Sequence, residues 1–171
     1  MPRLDSLDER ILSSLQENGR LTMKALAEQI GMSSPAVIER VRRLEGRGVL
    51  PGYRGLVDPA AIGRPMSVLL QATVPHGSQS AFLGALNEHP AVEEVLRVSG
   101  PRNYVVRAHL SGTEELEELM DQLGERCDAI EAEMILSIPV REAAIMPPPD
   151  VVSRRKRGMR RRQLETGESA E

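Results

Sequence analysis

Residues 23–48 read MKALAEQIGMSSPAVIERVRRLEGRG, and the reading of this stretch decides the fold of the first third of the chain. Met23, Leu26, Ala27 and Ile30 recur at helical spacing and give one apolar face. Gly31 stands where a helix ends in the left-handed conformation. Two residues later Ser33, Ser34 and Pro35 form a start signal. Pro35 suits the first helical position, where its missing N–H would have had no partner. Val37, Val41 and Leu44 supply the buried stripe of this next helix, and Gly46 and Gly48 end it. Two short helices joined by a tight glycine turn make a helix-turn-helix pattern.

Upstream, Ser6-Leu7-Asp8-Glu9 has the form of a capping box in which Ser6 and Glu9 each satisfy an amide. Leu7, Ile11, Leu12 and Leu15 then share one face, and Asn18-Gly19 breaks the pattern. Downstream, Val49 to Asp58 reads as two short extended pieces around Gly52, a two-stranded wing. Pro59 to Pro65 reads as a linker.

The middle of the chain alternates strand and helix signals. Ser67 to Val74 is apolar and extended. Ser78 to Glu88 is helical, with Phe82, Leu83 and Leu86 inward, and stops at His89-Pro90. Val92 to Ser99 and Tyr104 to Leu110 are strand-like runs joined by Gly100-Pro101-Arg102-Asn103. Thr113 caps a helix whose first turns carry Glu114, Glu115, Glu117 and Glu118, where the helix dipole favours negative charge. Leu116, Leu119, Met120 and Leu123 form its inner face. Ile130 to Ile138 supplies the last strand. The order βαββαβ predicts a ferredoxin-like split arrangement with helices on one face. Its other face needs a partner, and a second copy is the simplest one. The fold class expected is α+β, with a winged helix-turn-helix over 1–60, a linker over 61–66, a ferredoxin-like domain over 67–145 and a disordered basic tail over 146–171.

Charge follows these divisions. Residues 1–60 carry nine Lys/Arg against eight Asp/Glu, residues 61–150 six against fourteen, and residues 151–171 seven against three. An acidic middle repels DNA, so phosphate contact must come from the two ends. The basic run Arg154 to Arg162 suits either added salt-sensitive affinity for DNA or docking on the acidic domain of a neighbour. Phe82, Tyr53 and Tyr104 are the only aromatics, which excludes gripping single strands by stacking. The single cysteine, Cys127, excludes an internal disulfide and a Cys-based zinc site. His76, His89 and His109 are scattered, so no metal or other cofactor is expected. No apolar run nears the roughly 18 residues that span a bilayer, and the N-terminus is not a signal peptide. A cytoplasmic protein follows.

On the helix after the turn, Arg40, Arg43 and Arg47 fall within roughly 60° of one another, with Ala36 beside them. Arg forms two hydrogen bonds with a guanine edge, and a small Ala36 allows close approach. Ser33 and Ser34, at a helix N-terminus with Pro35, are natural phosphate ligands, and Arg42 on the other side reaches backbone phosphate. The competing reading is a solvated basic face. The partner expected is double-stranded DNA, bound by a symmetric dimer.

Leu7-Asp8, Ile11-Leu12, Gly19-Arg20, Leu26-Ala27, Gly31-Met32-Ser33, Val37, Arg40 to Glu45 and Gly48 to Tyr53 together resemble the Lrp/AsnC (feast/famine) transcription regulators. The resemblance runs over roughly residues 4–141. It implies a DNA-binding winged helix-turn-helix, a ferredoxin-like (RAM) domain that pairs into dimers assembling into tetramers or octamers, and an amino-acid effector between them. It further implies a non-enzymatic, cytoplasmic, nucleoid-associated protein. The family's effector loop follows Gly-x-x-Asp-Tyr; here Gly100, Arg102, Asn103 and Tyr104 stand in it, with Asn103 in place of Asp. A neutral amide cannot pair with an ammonium group, whereas Arg102 can meet a carboxylate. Ser137, by its place on the last strand, looks into the same interface. Two alternatives stand beside this one: an architectural DNA-binding protein without effector, favoured by Asn103, and a haem-precursor decarboxylase-like enzyme, disfavoured by the scattered histidines.

Overall fold

The structure, a computed structural model, describes residues 4–141 and 143–148. These fall into two compact units, one drawn from residues 4–54 and 143–148, the other from Gly55–Arg141. The tail from residue 149 onward, with its basic run, lies outside the described residues.

The first unit is built on three helices: α1 (Ser6–Glu17), α2 (Met23–Ile30) and α3 (Ser34–Gly46). Leu4, Ile11, Leu12, Leu15, Leu26, Ala27, Ile30, Val37, Val41 and Leu44 form one buried aliphatic cluster. The capping box of α1 sits one residue earlier than the sequence pattern indicates. Asp5, not Ser6, accepts the amides of Leu7 (3.0 Å) and Asp8 (2.9 Å), and Asp8 returns the bond to the Asp5 amide at 3.2 Å. The earlier register wins because it buries Leu4 and Asp8. Gly31 ends α2 at φ 76°, in the left-handed region that a β-carbon disfavours. Pro35 occupies the second helical position rather than the first, because α3 already starts at Ser34.

No strand pair forms over residues 49–58, so the expected two-stranded wing is replaced by irregular, mostly exposed chain. An isolated ribbon is marginal without an apolar face to bury, and Pro51 removes a donor. Leu56 and Val57 stay exposed. Tyr53 supplies the anchor instead: its hydroxyl donates to Glu45 Oε1 at 3.1 Å, and its ring packs near Gly19.

The second unit follows the βαββαβ order: β1 (Met66–Thr73), α4 (Gln79–Asn87), β2 (Val92–Arg97), β3 (Tyr104–Leu110), α5 (Thr113–Gly124) and β4 (Ala129–Met134). The sheet order is β2-β3-β1-β4, with every neighbouring pair antiparallel. Val68, Leu70, Ala72, Tyr104, Val106, Ala108 and Leu110 point to the buried side, where Phe82, Leu86, Leu119 and Leu123 of the two helices meet them. Phe82 and Tyr104 pack as a tilted pair with centroids 5.4 Å apart. Gly112, not Thr113, is the N-cap of α5, and it makes no side-chain cap. The start of α5 is held by Glu115, which accepts from the Ser111 amide (2.7 Å), the Ser111 hydroxyl (2.8 Å) and Arg64 (2.8 Å).

β4 stops at Met134, four residues short of the expected Ile138. The reason is its partner: β1 begins at Met66, just after Pro65, and Ile135 makes the last bond to Ser67 O at 2.9 Å. The sheet's second face carries no helix. Ser67, Leu69, Gln71, Val105, Arg107, His109, Glu131 and Glu133 alternate onto it by register, and a hydrogen-bonded chain crosses three strands there. Ser67 Oγ meets His109 Nδ1 at 2.8 Å, and His109 Nε2 meets Glu93 Oε2 at 3.0 Å.

Candidate nucleic-acid interface and effector loop

Asp8 lies on the apolar stripe of α1, three residues before Ile11, and its side chain is only 3% exposed. A buried carboxylate is costly unless paired. Two guanidinium groups of α3 pair it: Arg40 Nη1 donates to Asp8 Oδ1 at 2.7 Å and Arg43 Nη2 donates to the same oxygen at 3.1 Å. Arg40 also donates to both oxygens of Asp5, at 3.0 and 2.9 Å. Burial pushes the Asp5 carboxyl up, but the Asp8 amide and the Arg40 guanidinium outweigh it and hold the group below the ordinary carboxylate range. Burial likewise works against the Arg40 charge, and its bonds to Asp5 and Asp8 overcome it, leaving the group above the usual arginine value.

This arrangement corrects the expectation that Arg40 and Arg43 stand free to reach base edges. Helical geometry explains it. With Val37, Val41 and Leu44 as the inward direction, Arg40 lies only about 65° away, beside the core, whereas Arg43 and Arg42 lie about 125° and 135° away on opposite flanks. Arg40 therefore faces α1. Arg43 keeps 45% of its side chain exposed while touching Asp8. Arg42 is exposed and makes no ion pair among the described residues. Arg47 and Ser33 are exposed, as is Pro35; Ala36 and Ser34 are half-buried. Ser33 is the N-cap of α3 but makes no side-chain capping bond, so its hydroxyl is not used on the helix. On the Arg42 flank, a groove of about 360 Å³ runs past Ile38, Val41, Glu45 and Tyr53 to Leu15 and Met23. The Tyr53 hydroxyl on its rim is held above its ordinary pKa by burial and by the hydrogen bond to Glu45.

The loop between β2 and β3 is fastened to the end of β1. Asn103 Oδ1 accepts the Val74 amide at 2.8 Å, and Asn103 Nδ2 donates to the Val74 carbonyl at 2.9 Å. The two groups of Val74 fix which end of the amide is which. Thr73 Oγ1 adds a bond to the Pro101 carbonyl at 2.9 Å, and Gly100 takes φ 124°. Arg102 forms an ion pair with Glu131 of β4. That bond raises the arginine above its usual value and lowers the glutamate below its own. Tyr104 is buried against Phe82 on the helix side and does not line the loop surface. Ser137 is exposed on irregular chain beyond β4, so its expected place on the last strand is not realised. Gly100, Arg102 and Asn103 are thus brought together; Tyr104 and Ser137 do not join them.

Sequence reasoning passed over Asp5, Asp8 and the Glu45–Tyr53 contact. One signal was present: Asp8, Ile11, Leu12 and Leu15 share helical spacing, and an acid within an apolar stripe demands a cation. The partner could not be read from α1 alone.

Comparison with known proteins agrees with this architecture. Residues 4–45 match the AsnC-type helix-turn-helix domain and residues 67–145 the Lrp/AsnC ligand binding domain. The chain is 32% identical over 120 residues to the leucine-responsive regulatory protein of Haemophilus influenzae, covering 68% of this chain and 72% of that one. It is 30% identical over 159 residues to the glutamate uptake regulatory protein of Zymomonas mobilis, covering 91% and 97%. The solved structure of LrpC from Bacillus subtilis superposes with a TM-score of 0.75 at 29% identity, covering 80% of this chain and 96% of that one. The chain belongs to the Lrp/AsnC family of DNA-binding transcription regulators.

Proposed function

We propose that α3 enters the major groove of a palindromic operator and that two copies, paired through the helix-free face of the sheet, present it twice. The observation that carries this reading is the outward sector of α3: Arg42 exposed and without an ion pair among the described residues, Arg43 half exposed and Pro35 at the open N-terminus. Ser33, Ser34 and Ala36 sit at the same end, suited to phosphate and close approach. Arg47 extends the basic flank. Arg40 is a positioning residue, since its donors are committed to Asp5 and Asp8. Residues 1–60 then serve DNA, 61–66 link, and 67–145 pair copies and take the effector. The site of action is the cytoplasm, on the chromosome.

A selection from random duplexes tests this. The native chain is expected to enrich one short symmetric motif, and Arg42→Ala to lose about tenfold or more in affinity for it, in line with one lost base or phosphate contact. No enrichment would refute the reading.

The relatives' names, leucine-responsive and glutamate uptake regulatory, support a small amino-acid effector near Gly100, Arg102 and Asn103. A second reading is favoured by one observation: both polar ends of the Asn103 amide are already engaged by Val74, which suits an architectural protein with no ammonium-binding loop. Thermal-shift measurements with the twenty amino acids separate the two, because a bound ligand stabilises by mass action.

A further inference from the structure

The groove beside α3 has a composition that contact with DNA does not require. Ile38, Val41, Arg42 and Glu45 stand three and four residues apart, so they share the flank of α3 that meets the end of α1 and the start of α2. Leu15 and Val41 are buried at its floor, and Leu21, Met23 and Ile38 are half-buried around them. Gly19 adds no side chain to the wall. The irregular chain over 49–58 leaves the flank open, with Tyr53 as its contribution to the rim. At about 360 Å³ the space falls at the small end of ligand cavities, which run from about 300 to 1,000 Å³.

Few polar groups converge on it. The Arg42 guanidinium is exposed and has no ion pair among the described residues, yet it lines the same groove as the five apolar side chains. Glu45 brings the opposite charge to the rim, and one of its oxygens is occupied by the Tyr53 hydroxyl at 3.1 Å. A guanidinium one helical turn from Ile38 suits a molecule with a carboxylate at one end and an alkyl body at the other. The fork of Arg42 meets the carboxylate with two hydrogen bonds. The body takes apolar surface of the groove out of water. Glu45 sets the limit, because a second carboxylate on the ligand would be set against a like charge.

We propose that this groove binds a small aliphatic monocarboxylate, its carboxylate held by Arg42 and its chain lying on Leu21, Met23 and Ile38, and that the bound molecule withdraws Arg42 from DNA. The first half stands on the groove alone; the second rests on the DNA-contacting role given to Arg42 above. The site shares no residue with the effector loop at Gly100 to Asn103.

Methyl NMR of the full chain, titrated with hexanoate, tests the site. Hexanoate is expected to shift the methyl resonances of Leu21, Met23, Ile38 and Val41 saturably at millimolar concentration, as befits so small a ligand. Acetate lacks the body, hexanamide lacks the charge and adipate adds a second carboxylate. Each is expected to bind about tenfold more weakly or worse, the ratio set by one charge-assisted hydrogen bond or a comparable apolar contact. Arg42→Gln, at an exposed position where helix propensity is kept, is expected to erase the preference for hexanoate over hexanamide. Equal affinity for these two in the native chain would overturn the site, as would no shift, or shifts confined to Val98 and Val105 beside the effector loop. A preference that survives Arg42→Gln would overturn Arg42 as the ion partner. Fluorescence anisotropy with a mixed-sequence duplex, at ionic strength matched with sodium chloride, tests the second half. Saturating hexanoate is expected to weaken the native chain about tenfold, the factor expected for Arg42→Ala, and to leave the DNA affinity of Arg42→Ala where it is. An equal effect on both chains, or none on the native one, would overturn the competition. A native chain that binds no duplex without ligand would refute the DNA-binding role and the competition with it, a result distinct from failure of the titration.

Discussion

Replacing Asp8 by alanine isolates the junction between α1 and α3. The carboxylate accepts from Arg40 at 2.7 Å, from Arg43 at 3.1 Å and from the Asp5 amide at 3.2 Å, and its side chain is 3% exposed. A hydrogen bond to a charged group contributes about 1.5–3 kcal/mol when buried. The Arg40 contact falls in that range, because Arg40 is 19% exposed and water only partly replaces its partner. Arg43, at 45% exposed, is re-solvated at little cost, so its share is below about 0.5 kcal/mol. Loss of the returning half of the capping box adds about 0.5–1 kcal/mol. Relief of the carboxylate's own desolvation offsets part of the total. The net expectation is a loss of about 2–3 kcal/mol. For so small a unit that lowers its midpoint by on the order of 15 °C. Thermal unfolding of the full chain by far-ultraviolet circular dichroism measures the loss, and hydrogen exchange assigns it to residues 6–46. Asp8→Asn, which keeps an acceptor without the charge, is expected to fall between. A loss below about 0.5 kcal/mol, or one appearing in residues 55–141 instead, would refute the argument that this carboxylate sets α3 in place.

Two further perturbations address the second unit. The Ser111 amide, aided by the Arg64 guanidinium, holds the Glu115 carboxyl down at about 2 against the usual 4.5. A depressed acid stabilises above its unfolded value, so the contribution is complete above about pH 4.5 and fades as pH falls toward 2. Screening at this partly exposed pair limits it to about 1–2 kcal/mol; Glu115→Gln should flatten the acid limb of a urea-denaturation series, and an unaltered limb would count against the pairing. Asn103→Asp removes the donor to the Val74 carbonyl and sets a carboxylate against it, for an expected loss of about 1–2 kcal/mol in the same assay. The same variant should gain stabilisation from amino acids relative to the native chain, because an acceptor is released with a charge; identical thermal shifts would speak against the clamp as the controlling feature.

Much of the architecture was legible because apolar spacing alone reports it. The stripes of Leu26 and Ile30, of Val37, Val41 and Leu44, and the alternation along β1 and β3 each locate an element without knowledge of its neighbours. What escaped the sequence depends on two segments at once. Asp5 and Ser6 both fit a capping pattern, and only the burial of Leu4 and Asp8 separates the registers. The end of β4 is set by where β1 begins, not by Ile135 to Ile138, whose composition is that of a strand. Helical spacing sets Arg40 of α3 at the edge of the core, but its partners Asp5 and Asp8 lie some thirty residues away on another helix. Asn103 could be read as a departure from a motif, but its bonds to Val74 require that the loop and β1 be folded side by side.

The sparse aromatic content has a practical corollary. Tyr53 belongs to the helix-turn-helix unit and Tyr104 to the sheet unit, and no tryptophan outshines either. The first is 49% exposed with its phenol bonded to a carboxylate; the second is 2% exposed and packed on Phe82. Their emission therefore differs in quenching, and single Tyr→Phe replacements turn the unlabelled chain into two optical reporters, one for each half of the molecule.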